Sequence, residues 1–266
     1  MKKKPLLSIY SWFGYVMPLP ARLKMIKENG FQAVTLWWED EKGFKKESMP
    51  EIVRKNGLTL ENIHLPYQGC NRLWSEKREE RTALMENYLS SLEDCASFEI
   101  PLMIIHATEG DLLPEETGYG LEAMGQLVER AEELEVGIAL ENTRLVEPLL
   151  LLLDSLQSPQ LGLCYDSSHA RLTVGELELL EDYSHRLMAT HLSDNDGLKD
   201  RHWLPGEGEI CWPRLINQLT ESEPDFLTLE AFPGKHQFPD NPEGFLSLAY
   251  ERGAYLQELI LESGRI

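Results

Sequence analysis

The stretch VGIALENTRLVEPLLLLLDSLQSPQLGLCYDSSHA, residues 136–170, shows the pattern that decides the fold. Two short apolar runs, VGIALE and LGLCYD, flank a longer segment, and each run ends in a carboxylate. Short apolar runs of this kind indicate buried strands of a parallel sheet, and the longer segments between them are typical of helices. The alternation extends in both directions and gives eight runs: LLSIY (6–10), AVTLWW (33–38), TLENIHL (59–65), LMIIH (102–106), VGIALE (136–141), LGLCYD (161–166), LMATHL (187–192) and FLTLE (226–230).

Helix signals occupy the intervals between these runs. Four segments carry them: the one between Pro18 and Gly30, residues 79–98, residues 116–135 and residues 242–261. Strands that alternate with helices imply a parallel sheet with right-handed crossovers, and eight such units close into a barrel. The predicted fold class is therefore α/β, a single (β/α)8 TIM barrel that spans residues 1–266 as one domain. A doubly wound sheet of six strands is the alternative.

Composition excludes several classes of protein. The 266 residues include 25 Lys and Arg against 45 Asp and Glu, which gives a formal net charge of −20. This charge opposes extended nucleic-acid binding, because affinity for a phosphate backbone comes mainly from Lys and Arg. With 42% hydrophobic residues the chain is neither disordered nor a small disulfide-stapled scaffold.

The cysteines and the N-terminal segment indicate the compartment. The four cysteines contain no CxxC pair, so we expect free thiols in a reducing cytosol. MKKK at the start resembles the basic region of a signal peptide, but polar residues interrupt the apolar stretch behind it and no A-x-A site follows. Because no run of 18 apolar residues occurs, we expect a cytoplasmic protein without a membrane span.

Side chains at the carboxyl ends of the strands carry the chemistry, because in this fold they point at a shared mouth. Nine residues of metal-ligand type are expected there: His64, His106, Glu141, Asp166, His169, His191, Asp200, His202 and Glu230. The chain has only seven histidines, and five of them belong to this set. Since the ligand types recur about once per βα unit, separate strands deliver them to one mouth.

Taken singly, some of these residues have ordinary structural explanations. A histidine after an apolar run, such as His64 or His106, is more often a satisfied buried histidine, and Asp166 could cap the next helix. Glu141 and Glu230 differ, because an unpaired carboxylate at a buried strand end is costly unless a cation compensates it. Chance placement of the whole set is improbable. Together the residues predict a divalent metal, zinc or manganese, with one to three ions.

Further residues near the predicted mouth are candidates for substrate binding. Trp12 and Trp203, like Trp37 and Trp38, could wall a sugar pocket, although buried aromatics in a barrel are as often core. Glu39 could accept hydrogen bonds from substrate hydroxyls or be solvated.

Loops on the same face suggest a locally basic mouth. Lys199, Arg201 and Lys235 fall in these loops and could serve a phosphate or a carboxylate on the substrate. The loop between residues 192 and 212 is the longest irregular stretch and is a predicted part of the site. Its Gly206-Glu207-Gly208 segment predicts a tight turn.

The motifs ALEN, CYDSSHA, HLSDNDG, DRHWLPGEGEICW and LTLEAF resemble, in this order, the xylose isomerase-like TIM-barrel superfamily. This superfamily contains sugar phosphate isomerases and epimerases and the endonuclease IV type of AP endonuclease. In the isomerase branch, the resemblance implies one divalent metal held by Glu141, Asp166, His191 and Glu230. It also implies that His169 and Arg201 contact the sugar. In the endonuclease branch, it implies a trinuclear zinc cluster held by all nine residues.

The resemblance and the ligand set predict a metal-dependent isomerase or epimerase of a sugar, sugar phosphate or inosose. The reaction would proceed by proton transfer through a metal-stabilised enediolate, with Glu141 and Glu230 removing and returning the proton from opposite sides. Two alternatives stay open: a zinc-dependent phosphoesterase of the endonuclease IV type, and a non-catalytic sugar-binding barrel. The expected partner is a small sugar-like molecule rather than nucleic acid. The sequence leaves the oligomeric state open.

Overall fold

Eight parallel strands form the centre of the structure, a computed structural model that describes residues 3–112, 117–173, 178–234 and 238–263. All eight lie where the sequence predicts them: β1 (Leu6–Tyr10), β2 (Ala33–Trp37), β3 (Thr59–His64), β4 (Leu102–His106), β5 (Gly137–Glu141), β6 (Leu161–Asp166), β7 (Leu187–His191) and β8 (Phe226–Leu229). The architecture is a single (β/α)8 TIM barrel. The predicted fold class is confirmed, and the six-stranded alternative is wrong.

Helices connect successive strands on the outside of the barrel. The α-helices are α1 (Leu19–Glu28), α2 (Met49–Lys55), α3 (Arg78–Ser97), α4 (Gly118–Leu134), α5 (Glu147–Ser155), α6 (Ser167–Thr173), α7 (Glu178–Tyr183), α8 (Trp212–Leu219) and α9 (Pro242–Ser263). Short 3-10 helices span Lys46–Ser48, Cys70–Trp74, Ser184–Arg186 and Thr220–Ser222. The four predicted helical segments correspond to α1, α3, α4 and α9, and α1 begins beside Pro20 because proline fits the first turn of a helix.

The barrel closes between β7 and β8. The other strands pair with their neighbours in chain order, and β1 pairs with β8. The remaining gap is bridged at Leu192 and Leu229, where the Leu192 amide donates to the Thr228 carbonyl (2.8 Å) and the Glu230 amide donates to the Leu192 carbonyl (3.2 Å). This closure places the ends of β7 and β8, with His191 and Glu230, side by side.

Small apolar side chains fill part of the barrel interior beneath the mouth. A cluster of buried residues consists of Ile104, Ala139, Cys164 and Ala189. Each stands two positions before the residue that ends its strand, and because side chains alternate along a strand, it shares the inward face of that residue. The larger apolar core lies between the strands and the surrounding helices.

Strand β3 brings a carboxylate into the barrel interior at Glu61. The pairing of β2 with β3 shifts register between Val34 and Thr35, which is the mark of a β-bulge, and a bulge re-aims a side chain. Glu61 Oε1 accepts hydrogen bonds from the hydroxyls of Ser8 (2.5 Å), Thr35 (2.9 Å) and Thr228 (2.7 Å). Residues from four strands therefore meet at one oxygen.

The long loop after β7 is built around Asp194. Its carboxylate accepts hydrogen bonds from the backbone N–H groups of Gly206 (2.9 Å) and Ile210 (3.1 Å) and from the indole N–H of Trp212 (2.9 Å). Gly208 packs so closely that an added Cβ would lie 2.2 Å from a backbone oxygen of the same loop. The tight turn predicted from sequence thus fixes the shape of the loop that presents two of the ligand candidates.

The cysteines form no disulfide, and three of the four are buried, with Cys211 exposed. Within the described ranges, no helix combines the length and the apolar character needed to cross a membrane.

Candidate metal centre and substrate cleft

The nine candidate ligands lie together at the carboxyl end of the barrel. Within each of three groups, the ligand atoms lie within 4.8 Å of one another: Glu141, Asp166, His191 and Glu230; His64, Glu141 and His191; His169, Asp200 and His202. The ninth residue, His106, has its Nε2 3.2 Å from Oε2 of Glu141. The fold therefore unites side chains that the sequence distributes over more than 160 residues, from position 64 to position 230.

Glu141 is the centre of this cluster. Its Oε2 lies 2.8 Å from His64 Nε2, 3.1 Å from His191 Nδ1 and 3.2 Å from His106 Nε2, and its Oε1 lies 3.2 Å from His169 Nδ1. Burial would raise the pKa of Glu141, but the nearby imidazoles of His191 and His106 outweigh it and hold the pKa well below its usual range. Glu141 is therefore an ionised carboxylate shared between two of the groups.

Three of the histidines have one ring nitrogen fixed by the backbone. Nδ1 lies 2.8 Å from a carbonyl oxygen in His64, 2.9 Å in His169 and 3.0 Å in His202. These carbonyls belong to Leu65, Asn142 and Glu230, respectively. Because a carbonyl only accepts hydrogen bonds, Nδ1 donates, and in the neutral ring Nε2 is left as a lone pair. This orientation by a second partner is typical of metal-ligating histidines.

Several buried polar atoms of the cluster lack hydrogen bonds. Asp166 Oδ2, His191 Nδ1 and Glu230 Oε2 have no hydrogen-bond partner among the residues that the structure describes. His191 Nδ1 lies only 2.9 Å from Glu230 Oε2, yet the pair lacks the directional geometry of a hydrogen bond. Buried polar atoms are almost always satisfied. A divalent cation would satisfy these atoms, and mixed carboxylate and imidazole donors suit zinc or manganese.

The protonation of the cluster indicates the same need for positive charge. Burial lowers the pKa of His202, but its hydrogen bond to Asp200 and the charge of Glu230 outweigh this and raise it to about 10. The pKa of His191 is also raised despite burial, because nearby anionic groups favour the charged ring. Burial raises the pKa of Asp166 to about 7. Protons on these side chains therefore balance the negative charge of the carboxylates, and a divalent ion that binds there would displace the protons.

Two connected cavities open onto the cluster. We call the smaller one, of about 400 Å³, the polar lobe. Besides ligand candidates, its walls include Thr108, Thr143, Leu172, the basic residues Arg144 and Lys199 and the carboxylate of Glu109. Lys199 therefore lies where the sequence predicts a basic mouth, and it is joined there by Arg144, whose guanidinium lies 3.2 Å from Asp111.

We call the larger cavity, of about 980 Å³, the aromatic lobe. Its walls include Tyr10, Trp12, Val16, Met17 and Phe232. Trp37, Tyr67, His202 and Glu230 line both lobes, so the two cavities meet over the ligand cluster.

The predicted substrate-binding residues divide into two sets. His169 lines the polar lobe and Trp12 lines the aromatic lobe. Glu39, Arg201 and Trp203 line neither of these two lobes. The contribution of all five to substrate binding stays a prediction.

Local partners explain the placement of the second set. Arg201 donates to Asp196 (2.8 Å), and its guanidinium lies 5.4 Å from the ring centroid of Trp203. Glu39 accepts a hydrogen bond from the Trp37 indole (2.6 Å). Of the basic residues expected at the mouth, Lys235 lies outside the described residues.

Comparison with known proteins assigns the family. Residues 23–248 match the family model described as xylose isomerase-like TIM barrel. The chain belongs to this family. Uncharacterized protein MJ1311 of Methanocaldococcus jannaschii is 24% identical over 176 residues, which are 60% of this chain and 59% of that protein. A shorter match covers 19% of a second relative, so the chain spans less than two thirds of the length of either.

Solved structures agree with the family's fold. A D-tagatose 3-epimerase-like protein superposes with a TM-score of 0.79 at 19% identity, covering 97% of this chain and 99% of the other. An L-ribulose 3-epimerase gives a TM-score of 0.78 at 13% identity, covering 98% and 96%. At these identities the likeness shows that this xylose isomerase-like chain shares their barrel.

Sequence reasoning missed three residues of this xylose isomerase-like barrel. Tyr10 ends β1 and lines the aromatic lobe, and Arg144 follows Glu141 by three positions and lines the polar lobe. Both could have been found, because each follows the same rule of strand ends as the ligands. Glu61 lies inside β3, where only the register shift of the folded sheet turns it inward. Of the tryptophans considered for the wall of the sugar pocket, Trp38 instead belongs to the core, where it donates its indole N–H to Asp94 (3.0 Å).

Proposed function

We propose that this protein is a metal-dependent isomerase or epimerase of a small sugar or sugar-like carbonyl compound. The position of Glu230 carries the proposal. Its carboxylate belongs to a candidate ligand group and also lines both lobes of the cleft. A base and a cation site would therefore face the same substrate. The names of the two structural neighbours, a D-tagatose 3-epimerase-like protein and an L-ribulose 3-epimerase, support this class of reaction.

Glu141, Asp166, His191 and Glu230 would hold the divalent ion. When bound, the ion supplies positive charge that stabilises the enediolate form of the substrate and lowers the barrier to removing a proton beside a carbonyl. Arg144 and Lys199 would hold a phosphate, a carboxylate or hydroxyl groups at the far end of the polar lobe.

The two glutamates are not equivalent as bases. Glu141 is 2% exposed and contacts four imidazoles, whereas the Glu230 side chain is 14% exposed and lines both cavities. Burial would raise the pKa of Glu230, but the charge of His191 and its contact lower it. Glu230 is therefore ionised and accessible, as a general base must be.

The reaction follows from this difference. Glu230 takes a proton from the carbon beside the carbonyl, and the electron pair of the broken C–H bond forms the double bond of the enediolate as the carbonyl oxygen gains negative charge. Glu141, which is ionised at rest, takes up a proton from solvent and delivers it from the other side, and Glu230 releases its proton to solvent, so both carboxylates return to their starting state. Return to the same carbon inverts its configuration, which is epimerisation, and return to the former carbonyl carbon gives isomerisation.

Isotope exchange tests the proposal. The protein would be incubated in deuterated water with Mn²⁺ or Zn²⁺ and a panel of ketoses and inososes, and deuterium at the carbon beside the carbonyl would be measured by NMR. We expect exchange in at least one compound, and we expect Glu230→Gln to abolish it. Glu129→Gln is the matched control, because Glu129 is exposed on α4 and lines neither lobe. Absence of exchange across the panel by fully metal-loaded protein would contradict an isomerase or epimerase.

Phosphoester hydrolysis is the second candidate, and the third ligand group favours it. His169, Asp200 and His202 stand beside the groups joined by Glu141, an arrangement that suits more than one ion. Neighbouring metal ions can stabilise both the attacking and the leaving oxygen of a phosphoester. The net charge of −20 opposes binding of a nucleic-acid substrate. Metal-dependent incision of an abasic-site duplex, without exchange into any sugar, would favour this candidate.

A further inference from the structure

The aromatic lobe is larger than a free sugar requires. It encloses about 980 Å³, compared with about 400 Å³ for the polar lobe. Cavities of about 300–1,000 Å³ hold drug-sized ligands, so the polar lobe alone has room for a monosaccharide and the aromatic lobe adds further space beside it. Because both lobes share Trp37, Tyr67, His202 and Glu230, a ligand at the metal centre can extend into the aromatic lobe.

The chemistry of the aromatic lobe favours an uncharged, flat group. Trp12 and Phe232 provide ring faces, and Val16 and Met17 add aliphatic surface. Aromatic rings bind other flat rings by offset or edge-to-face packing. The charged groups Arg22 and Glu41 in the wall neutralise each other through two hydrogen bonds of 2.6 and 2.8 Å. The exposed Lys42 adds a cation at the edge of this wall.

The wall that carries Trp12 is built in advance of ligand binding. Arg22 is 1% exposed and donates to the carbonyls of Ser11 (2.9 Å) and Met17 (2.9 Å), which fixes the loop after β1. Its guanidinium lies 5.3 Å from the ring centroid of Trp12. Gly14 adopts a φ of +91°, and an added Cβ would lie 2.9 Å from Pro233, so the loop also packs against the segment after β8. A preformed wall lowers the entropic cost of binding.

An unpartnered hydroxyl lies in the wall of the aromatic lobe. Tyr10 is 3% exposed and lines the aromatic lobe beside Glu230, yet its hydroxyl has no hydrogen-bond partner within the part of the chain that the structure describes. A sugar oxygen at this position would accept the hydrogen bond that the protein leaves unmade.

From these observations we propose that the substrate is a carbonyl-bearing sugar linked to a flat, uncharged ring. The ring lies against Trp12 in the aromatic lobe, a sugar oxygen accepts a hydrogen bond from Tyr10, and the reacting carbons lie beside Glu230. An aryl glycoside and a nucleoside share this chemistry when the sugar ring carries a ketone at another carbon, because the linkage itself leaves no carbonyl at the anomeric carbon. The proposal rests on the proposed function for the reaction at the sugar, but the ring-binding lobe is a separate property.

Binding measurements test the lobe without any turnover. Isothermal titration calorimetry, with added Mn²⁺, would compare methyl β-D-glucoside, phenyl β-D-glucoside and adenosine. The panel of proteins would be the unaltered chain, Trp12→Ala, Val16→Glu and Tyr255→Ala. Val16 is 94% exposed, so Val16→Glu should fold normally. It therefore tests the lobe even if Trp12→Ala fails to fold. Tyr255, 45% exposed on α9, is the control for loss of a surface aromatic.

We expect the better of the two ring-bearing probes to bind at least tenfold more tightly than the methyl glucoside. Trp12→Ala or Val16→Glu should remove most of that preference, and Tyr255→Ala should keep it. Stronger binding of adenosine than of the phenyl glucoside would identify the ring as a nucleobase, and the reverse would identify an aryl aglycone. Equal affinity for all three probes, or no binding of any, would overturn the proposal. If the ring preference fails but deuterium exchanges into free ketoses, the proposed function is retained and only the ring-binding lobe is overturned. If the ring preference is found without any deuterium exchange, only the proposed function is overturned.

Discussion

Two buried carboxylates of this barrel, Glu61 and Glu141, have opposite surroundings. Both are almost completely buried, at 4% and 2% exposure. Glu61 lies in the barrel interior and accepts hydrogen bonds from the hydroxyls of Ser8, Thr35 and Thr228. Glu141 lies at the mouth, where imidazoles surround it.

The difference lies in whether each network is complete. The hydroxyls around Glu61 donate to it directly, so protein atoms alone satisfy its oxygen. Around Glu141, four imidazoles converge on the carboxylate, yet buried atoms of Asp166, His191 and Glu230 lack hydrogen-bond partners among the described residues. A complete polar network stabilises a fold, whereas an incomplete one marks a place for a ligand. Burial of a carboxylate alone therefore does not identify a metal centre.

The largest effect is expected from removing the charge of the incomplete network. Glu141→Gln should lose bound metal and lower the exchange rate by about 10²–10⁴-fold, because the residue is both ligand and proton donor in the proposed reaction. Glu61→Gln should keep the full metal content. Elemental analysis and deuterium exchange would measure both variants. Full metal occupancy in Glu141→Gln would remove the distinction between the two carboxylates.

The complete network should matter for stability. Glu61→Ala removes the common acceptor of three hydroxyls and leaves a cavity, so we expect the free energy of unfolding to fall by about 3 kcal/mol. Urea denaturation followed by circular dichroism would measure it. Val34→Ala on β2 serves as a control for loss of volume without loss of hydrogen bonds. A Glu61→Ala variant as stable as the unaltered chain would show that the hydroxyls contribute nothing as a network.

A third substitution distinguishes the two metal positions expected at the mouth of the barrel. His202→Ala should weaken binding of the ion at His169 and Asp200 by more than the roughly 10–100-fold typical of losing a residue that only orients a ligand, and it should leave an ion at Glu141, Asp166, His191 and Glu230. Competition with a chelator, followed by elemental analysis, would separate the two ions. If the protein never holds more than one ion per chain, His169, Asp200 and His202 serve the substrate instead.

The smallest effect is a pH dependence of stability assigned to Glu61. Burial raises the pKa of Glu61 against the opposing hydrogen bonds from Ser8 and Thr228. The protonated form therefore favours folding, and this contribution is complete below the ordinary pKa of about 4.3 and is lost as pH rises through the folded-state value. The stability of Glu61→Gln relative to the unaltered chain should increase with pH over this window. A pH-independent difference would show that the pKa of Glu61 is not raised.

The sequence by itself determined the barrel and the residues at its mouth. Strand positions follow from local composition, and all eight predicted strands are present. The nine ligand candidates followed because alternating strands and helices bring every strand end to one face. Repeats of a local pattern were sufficient for both inferences.

Only the tertiary structure decided how these residues combine. Glu141 joins two ligand groups, Arg201 pairs with Asp196, and the aromatic lobe depends on Arg22, which fixes the loop after β1 through Glu41 and backbone carbonyls. Glu61 turns inward because of a register shift that no local pattern announces. The physical reason is that these contacts join segments far apart in the chain, and their geometry exists only after the barrel has closed.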